Sequence, residues 1–174
     1  MGKSSLTLLV VVILLKKEAL RMSSELPGIT LKAIGIVRNE VKQSLGSNYS
    51  WEKVVSNIVI NTSLTKALDG LEEFSHIIVL YWMHQATARG QLPNKVHPRG
   101  NEKLPLVGLF ATRSPNRPNP LGKAIVRLLQ RQSNTLKVEG LDAIDGTPVV
   151  DIKPYIPRYD SVTDAKVPQW ITNQ

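Results

Sequence analysis

The stretch Gly108 to Gly122, G-L-F-A-T-R-S-P-N-R-P-N-P-L-G, sets two guanidiniums, Arg113 and Arg117, in a loop that three prolines stiffen. Pro115, Pro118 and Pro120 fix their own φ and push the residues before them toward extended backbone. A loop so restricted loses little entropy when it closes on a ligand, and two arginines held there suit a phosphate, a carboxylate or a nucleobase face. The same spacing also describes a P-x-x-P segment offered to a partner domain, so both readings stand on spacing alone. Two further clusters carry polar chemistry: His84-Gln85, where an apolar run ends, and Asp145-Gly146-Thr147, where a turn signal falls. Polar groups at strand ends around one mouth of a small barrel would make a compact ligand site.

Several familiar chemistries are excluded by what the sequence lacks. No G-x-G-x-x-G follows a strand and no G-x-x-x-x-G-K-[ST] occurs, which argues against a Rossmann site and a P-loop. Ser114 has no G-x-S-x-G setting. Cysteine is absent, so there is no disulfide framework, thiol chemistry or cysteine-ligated metal, which fits a reducing interior. Of the three histidines, His76 and His84 are eight residues apart, roughly 26 Å along one strand, and cannot share an ion there; no metal is expected.

The net charge of +8 gains meaning from its location. Residues 91–131 hold eight of the 22 Lys and Arg (Lys95, Arg99, Lys103, Arg113, Arg117, Lys123, Arg127, Arg131) against one acid, Glu102. Residues 132–174 carry four bases and six acids. The positive potential therefore sits where the proline loop lies, and it favours an anionic partner such as nucleic acid over a merely solvated basic face.

The elements that must position these groups are short strands. Ile29 to Val37 and Asn57 to Asn61 read as strands, with a polar loop over 38–56 in which Tyr49 and Trp51 are anchors. Leu64 to Phe74 reads as one or two helical turns around Asp69-Gly70, and His76 to Met83 as a strand buried on both faces. Residues 86–103 form a basic loop, long enough to be functional or mobile, and Leu104 to Ala111 is an apolar β run leading into the proline loop. Strands follow near 123–130 and 134–140. Asp145-Gly146 then signals a hairpin before a strand at Val149 to Ile152. The fold expected is mainly β: a small single-domain barrel over residues 29–160, with short helical turns and a tail over 161–174. Residues 1–28 form an extension. Its run Leu6 to Leu15, apolar but for Thr7, is too short to span a bilayer, for which about 20 residues are needed. It reads as an upstream start preceding a true one at Met22, with a peripheral anchor as the other reading.

These motifs together resemble the TsaA-like (TrmO) family of S-adenosylmethionine-dependent tRNA methyltransferases. The resemblance rests on the proline loop, on L-D-A-I-D-G-T-P-V-V-D-I-K-P-Y-I-P from Leu141, on G-L-E-E-F-S-H-I-I-V-L-Y-W-M-H-Q from Gly70, and on I-G-I-V-R-N from Ile34. It covers about Ile29 to Asp160. It implies a non-Rossmann β-barrel enzyme of the cytoplasm that works as a homodimer, with the cofactor near the subunit interface. The implied reaction methylates N6 of threonylcarbamoyl-adenosine, 3′ of the anticodon in certain tRNAs. Carried over by position, His84, Gln85, Arg113, Asp145, Gly146 and Thr147 fall on the cofactor-binding segments.

Methyl transfer of this kind needs alignment and a hydrogen acceptor for a weakly nucleophilic amine. Asp151 and Asp145 are the candidate acceptors. Asp151-Ile152-Lys153-Pro154-Tyr155 resembles, with one extra residue, the D-P-P-Y element of other adenine-amine methyltransferases, and Tyr155 is a candidate for stacking on the base. Lys95, Arg99, Lys103 and Arg117 would meet the phosphates of the tRNA anticodon stem-loop. The reading from a different class is a non-catalytic RNA- or nucleotide-binding barrel using the same basic loop.

Overall fold

Period-two burial decides the main elements. In the computed structural model, which describes residues 26–43, 49–86 and 92–172, the clearest case is the strand Leu121–Gln132, where Gly122, Ala124 and Val126 turn inward while Leu121, Lys123, Ile125 and Arg127 face out. The chain divides into two compact units, Met1–Leu31 and Lys32–Gln174. Of the first, residues 26–31 are described and carry no regular element. The apolar run Leu6 to Leu15 and the start expected at Met22 lie outside the described residues.

The described strands are β1 (Gly35–Arg38), β2 (Val55–Ile60), β3 (His76–Trp82), β4 (Lys95–Val96), β5 (Val107–Gly108), β6 (Leu121–Gln132), β7 (Thr135–Glu139) and β8 (Pro148–Pro154). Six of them close into a barrel in the order β1-β2-β7-β6-β3-β8, every neighbouring pair antiparallel, and β4 with β5 makes a separate ribbon. Closure leaves the barrel no free edge. Val37, Ile58, Ile77, Val79, Leu136, Val138 and Val149 are each 0% exposed and fill the interior. Burying each such side chain contributes about 1.5–3 kcal/mol. Short 3-10 turns over Thr62–Leu68 and Leu71–Glu73 flank Gly70, as the sequence suggested, and Arg131 ties them to β6 through Asp69 and Glu72. Two single-turn helices, α1 (Pro157–Asp160) and α2 (Gln169–Thr172), lie in the tail. No helix among the described residues is long and apolar enough to cross a membrane.

Three expectations need correction. The strand expected over Ile29 to Val37 is confined to Gly35–Arg38, because its partners run out: Gly35 faces Ile60, the last residue of β2, and Val149 near the start of β8. The apolar run Leu104 to Ala111 keeps only Val107–Gly108 as strand, then coils into a 3-10 turn at Leu109–Ala111 that leaves Phe110 79% exposed. Most consequential, Asp145-Gly146 is not the tip of a hairpin. β7 and β8 are three places apart whichever way one counts around the barrel, so residues 140–147 must cross its open end. Leu141, Ala143 and Thr147 are buried along that crossing and plug the end, while Asp142 is exposed between the first two.

One close approach in this wall has a direct consequence. Gly122 pairs with Tyr81, and a Cβ at Gly122 would stand 2.2 Å from two atoms of the Tyr81 ring. Gly122→Ala is expected to destabilise the domain by about 1–3 kcal/mol in urea unfolding, the usual cost of overpacking. Gly108→Ala, with nothing within 4 Å and a φ of −58°, should change stability by less than about 0.5 kcal/mol.

Candidate functional site at the barrel mouth

Antiparallel order brings four chain segments to one end of the barrel. β3 runs against both β6 and β8, so its last residues lie beside their first: Trp82 faces Leu121, and Tyr81 faces both Gly122 and Val149. β1 runs against β8, so Arg38 and Asn39 emerge at the same end. Met83 N–H donates to the Pro120 carbonyl at 2.8 Å and closes the neck of the excursion 84–120, which carries the β4–β5 ribbon and the proline loop. The crossing segment 140–147 lies over this mouth. His84-Gln85, the proline loop and Asp145-Gly146-Thr147, far apart in sequence, therefore share it.

Within the loop the two arginines divide their work. Arg117 folds back, donating from Nε to the Ser114 carbonyl at 3.0 Å and from a terminal nitrogen to the Thr112 carbonyl at 2.9 Å. Thr112 in turn donates its hydroxyl to the Leu109 carbonyl and accepts from Ser114 N–H. Arg117 thus braces the loop with donors that the sequence reading had sent to phosphates. Arg113 is exposed, with no hydrogen-bond or ion-pair partner among the described residues, and its positive charge acts on Tyr81 and Asp142.

The carboxylates divide as well. Asp145 accepts Asn39 N–H at 3.1 Å and pairs with Lys42 at 3.2 Å and Arg38 at 3.7 Å. The Asn39 bond first, then Lys42, holds its carboxyl below the usual aspartate range. Asn39 also donates its side-chain amide to Ser56 and to the Ala143 carbonyl, so the end of β1 grips the crossing segment at two points. Asp142 is different: its Oδ1 accepts from the Tyr81 hydroxyl at 2.6 Å, and its own backbone N–H also favours the anion, with no cation paired to it among the described residues. Packing around that carboxyl raises its pKa, against the lowering pull of the Tyr81 bond and of Arg113. Tyr81 is pushed well above the usual phenol range, first by burial and then by Asp142, so it stays a donor. Sequence reasoning missed both residues. The readable signal was a phenol at an inward position of an otherwise aliphatic strand.

The remaining expected residues fall as follows. His84 is half-buried and its Nδ1 is buried without a partner among the described residues, while Gln85 is exposed. Gly146 has φ 78° and turns the chain into β8, and Thr147 is 2% exposed. Lys95, Arg99 and Lys103 stand exposed on the ribbon and its turn. Asp151 and Tyr155 are not brought to this mouth. Asp151 faces Leu80 on the outer side of the wall and pairs with Lys153 at 2.6 Å. Tyr155 follows β8 at its far end, where its N–H donates to the His76 carbonyl and its ring meets His76 edge-on. Seven residues of strand, about 23 Å, separate that end from the mouth. Arg131, counted among the free bases in the sequence, is neutralised by its two acids.

A free guanidinium, a carboxylate held by one phenol and an unpartnered imidazole nitrogen beside an apolar plug suit a small molecule bearing both charges. Fold and site together define a ligand-binding barrel outside the doubly wound nucleotide folds. Its class is met in the crystal structure of TrmO from Pseudomonas aeruginosa, to which the chain is 30% identical with a TM-score of 0.65, covering 80% of this chain and 62% of that one. The chain belongs to the tRNA-methyltransferase O N-terminal domain family, whose profile matches residues 43–161. It is 45% identical over 138 residues to a probable S-adenosyl-L-methionine-binding protein of Methanothermobacter thermautotrophicus, covering 77% of this chain and 95% of the relative. It is 38% identical over 143 residues to the tRNA (adenine(37)-N6)-methyltransferase of Escherichia coli, covering 76% of this chain and 60% of that enzyme. Across such curated relatives the chain spans as little as 37% of the length.

The Asp145 clamp has a testable pH signature. Because its carboxyl is held low, its stabilising effect is complete above the ordinary aspartate range and is lost as pH falls through the lowered value. Asp145→Ala should cost about 1–2 kcal/mol at pH 7 in urea unfolding. The gap from the parent protein should narrow steadily below about pH 4.

Proposed function

We propose that this protein is an S-adenosylmethionine-dependent tRNA methyltransferase acting on the N6 amine of an adenine, with threonylcarbamoyl-adenosine 3′ of the anticodon as the target. The observation that carries the reading is the convergence of Arg113, Asp142 and His84 at one mouth beside an exposed basic loop. Membership of the family supports it.

The residues present fit the methyl donor. An unpaired guanidinium matches an amino-acid carboxylate, an unpartnered buried ring nitrogen at His84 needs a polar partner, and the lone carboxylate of Asp142 suits an ammonium or a hydroxyl. When bound, S-adenosylmethionine supplies an activated methyl on a sulfonium. The chain's own part is to hold and orient: Arg113 clamps the carboxylate end, Asp142 accepts from the donor's cationic or hydroxyl groups, and the Gly146-Thr147 turn and His84-Gln85 wall the pocket. Asp145, already saturated by Asn39, Lys42 and Arg38, serves as the clamp that fixes this wall. Asp151 and Tyr155 have no part in transfer at the mouth of their own chain.

Lys95, Arg99 and Lys103 meet RNA phosphates. Arg99 sits at φ 56°, followed by Gly100 at φ 69°, so an arginine occupies a backbone position that favours glycine. The exposed apolar side chains Phe110, Leu121 and Ile125, which a second copy would cover, support a homodimer. Phe110→Glu should shift the sedimentation coefficient from dimer to monomer; a parent protein that sediments as a monomer would remove this part of the reading. The working compartment is the cytoplasm, where tRNA is modified.

Arg113→Ala should weaken S-adenosylmethionine binding at least about tenfold by calorimetry, the loss expected for a charge-assisted pair. Unchanged affinity would overturn the site. Arg99→Gly should leave thermal stability level or slightly raised, yet lower tRNA affinity and reduce the salt slope by about one. Labelled methyl incorporation into total tRNA tests the reaction itself. Binding of both ligands without incorporation would instead support the non-catalytic RNA- or nucleotide-binding barrel.

A further inference from the structure

We propose that Tyr81 is a positioning residue of this site: its hydroxyl, donated to Asp142 Oδ1 at 2.6 Å, holds that carboxylate at the mouth, where it accepts from the methyl donor. The inference rests on the reading of the mouth as the cofactor site and assigns Tyr81 a task within it.

Packing alone does not ask for a phenol here. The other inward positions of β3, Ile77 and Val79, are aliphatic and fully buried, and Tyr81 beside them is 3% exposed. A hydroxyl in such a place requires a partner. Room for the ring is made from across the strand pair, since Gly122 offers no Cβ where one would collide with it. The ring therefore lies over the β6 backbone and its hydroxyl reaches the crossing segment. There it meets both the Asp142 carbonyl, at 3.1 Å, and the carboxylate, at 2.6 Å. A single O–H donates to one of them, and the shorter, charge-assisted bond takes it. Three segments distant in sequence are thus held in one geometry: the end of β3, the start of β6 and the plug.

The consequence for binding follows from charge. The titratable groups acting on the Asp142 carboxyl among the described residues are Tyr81 from β3 and Arg113 from the proline loop, and both favour its anion against desolvation. Removing the hydroxyl takes away the nearer of the two and leaves the desolvation in place. Asp142 would then protonate at higher pH, and a ligand that needs the anion would be lost earlier on acidification. A role confined to packing predicts a fall in stability with no movement of that acid limb.

Tyr81→Phe keeps the ring and removes the donor, so the test is calorimetric affinity for S-adenosylmethionine from pH 5 to 8.5 on the full chain, beside Asp142→Asn. The expected result is an acid limb displaced upward in Tyr81→Phe, with affinity at pH 6 weakened about fivefold, as for one lost hydrogen bond, and tRNA affinity unchanged. If Asp142→Asn loses affinity while Tyr81→Phe retains both affinity and limb, the positioning role is overturned and the site stands. If Asp142→Asn binds as the parent does, the assignment of the mouth is wrong. Should Tyr81→Phe fail to fold, NMR of the parent protein decides: a slowly exchanging Tyr81 hydroxyl proton whose shift moves as the Asp142 carboxyl titrates supports the role, and one that does not respond to that titration overturns it.

Discussion

The structure depends on a topological obligation. β7 and β8 are separated by three places in a six-stranded closed barrel, so the chain between them has to pass over an open end. An open end of a small barrel exposes its interior, and the crossing segment removes that exposure by inserting Leu141, Ala143 and Thr147. The same passage lifts the intervening Asp142 to the outer side of the plug. One segment therefore completes the core and supplies the mouth with its available carboxylate. The crossing carries glycines in the left-handed region near both ends, Gly140 at φ 90° and Gly146 at φ 78°, because the chain must leave one strand sharply and enter another as sharply.

That segment would be mobile if hydrophobic insertion were its sole restraint. The end of β1 supplies the rest. Asn39 is 9% exposed, and it donates from its backbone to Asp145 and from its side chain to the Ala143 carbonyl and Ser56. The Val37 and Val41 carbonyls accept the Gly146 and Asp145 backbone N–H groups. Two carboxylates three residues apart thus meet opposite fates. Asp145 is consumed by a backbone amide and two cations and is held low, whereas Asp142 has one phenol and is pushed up. The residue type is the same; the surroundings lower one carboxyl and raise the other.

Much of this was legible in the residues. Short apolar runs over 57–61, 76–83, 123–130 and 134–140 located strands, the absence of a long periodic helix pointed to a mainly β domain, and the convergence of His84-Gln85, the proline loop and the Asp-Gly turn at one mouth is what strand-end chemistry suggests. What failed did so for a physical reason. An Asp-Gly step is the same locally in a hairpin and in a crossing, and only the strand order tells them apart. Asp145 looked like the ligand carboxylate because its partners, Asn39 and Lys42, lie more than a hundred positions earlier in the chain. Arg117 and Arg131 counted as free cations in a tally of charge, yet one braces its own loop and the other closes two ion pairs. The motif groups Tyr155 with Asp151, and β8 carries Tyr155 to the end of the barrel away from the mouth.

A division of labour along the excursion 84–120 follows from the same economy of restraints. Its neck is fixed by Met83 and Pro120, its proline loop by Arg117, and its ribbon by two residue pairs between β4 and β5. Each restraint is local, so the excursion needs no core of its own and can leave Arg113 and the ribbon's bases exposed. An arginine without partners is costly to stability only where it is desolvated, and at an exposed mouth it is not. The unpaired charge is tolerated there because water serves it until an anion does, and the stiffness of the proline loop limits the entropy that such an anion must overcome. Rigidity placed in the backbone and freedom left to one guanidinium are the conditions under which a barrel mouth can be selective.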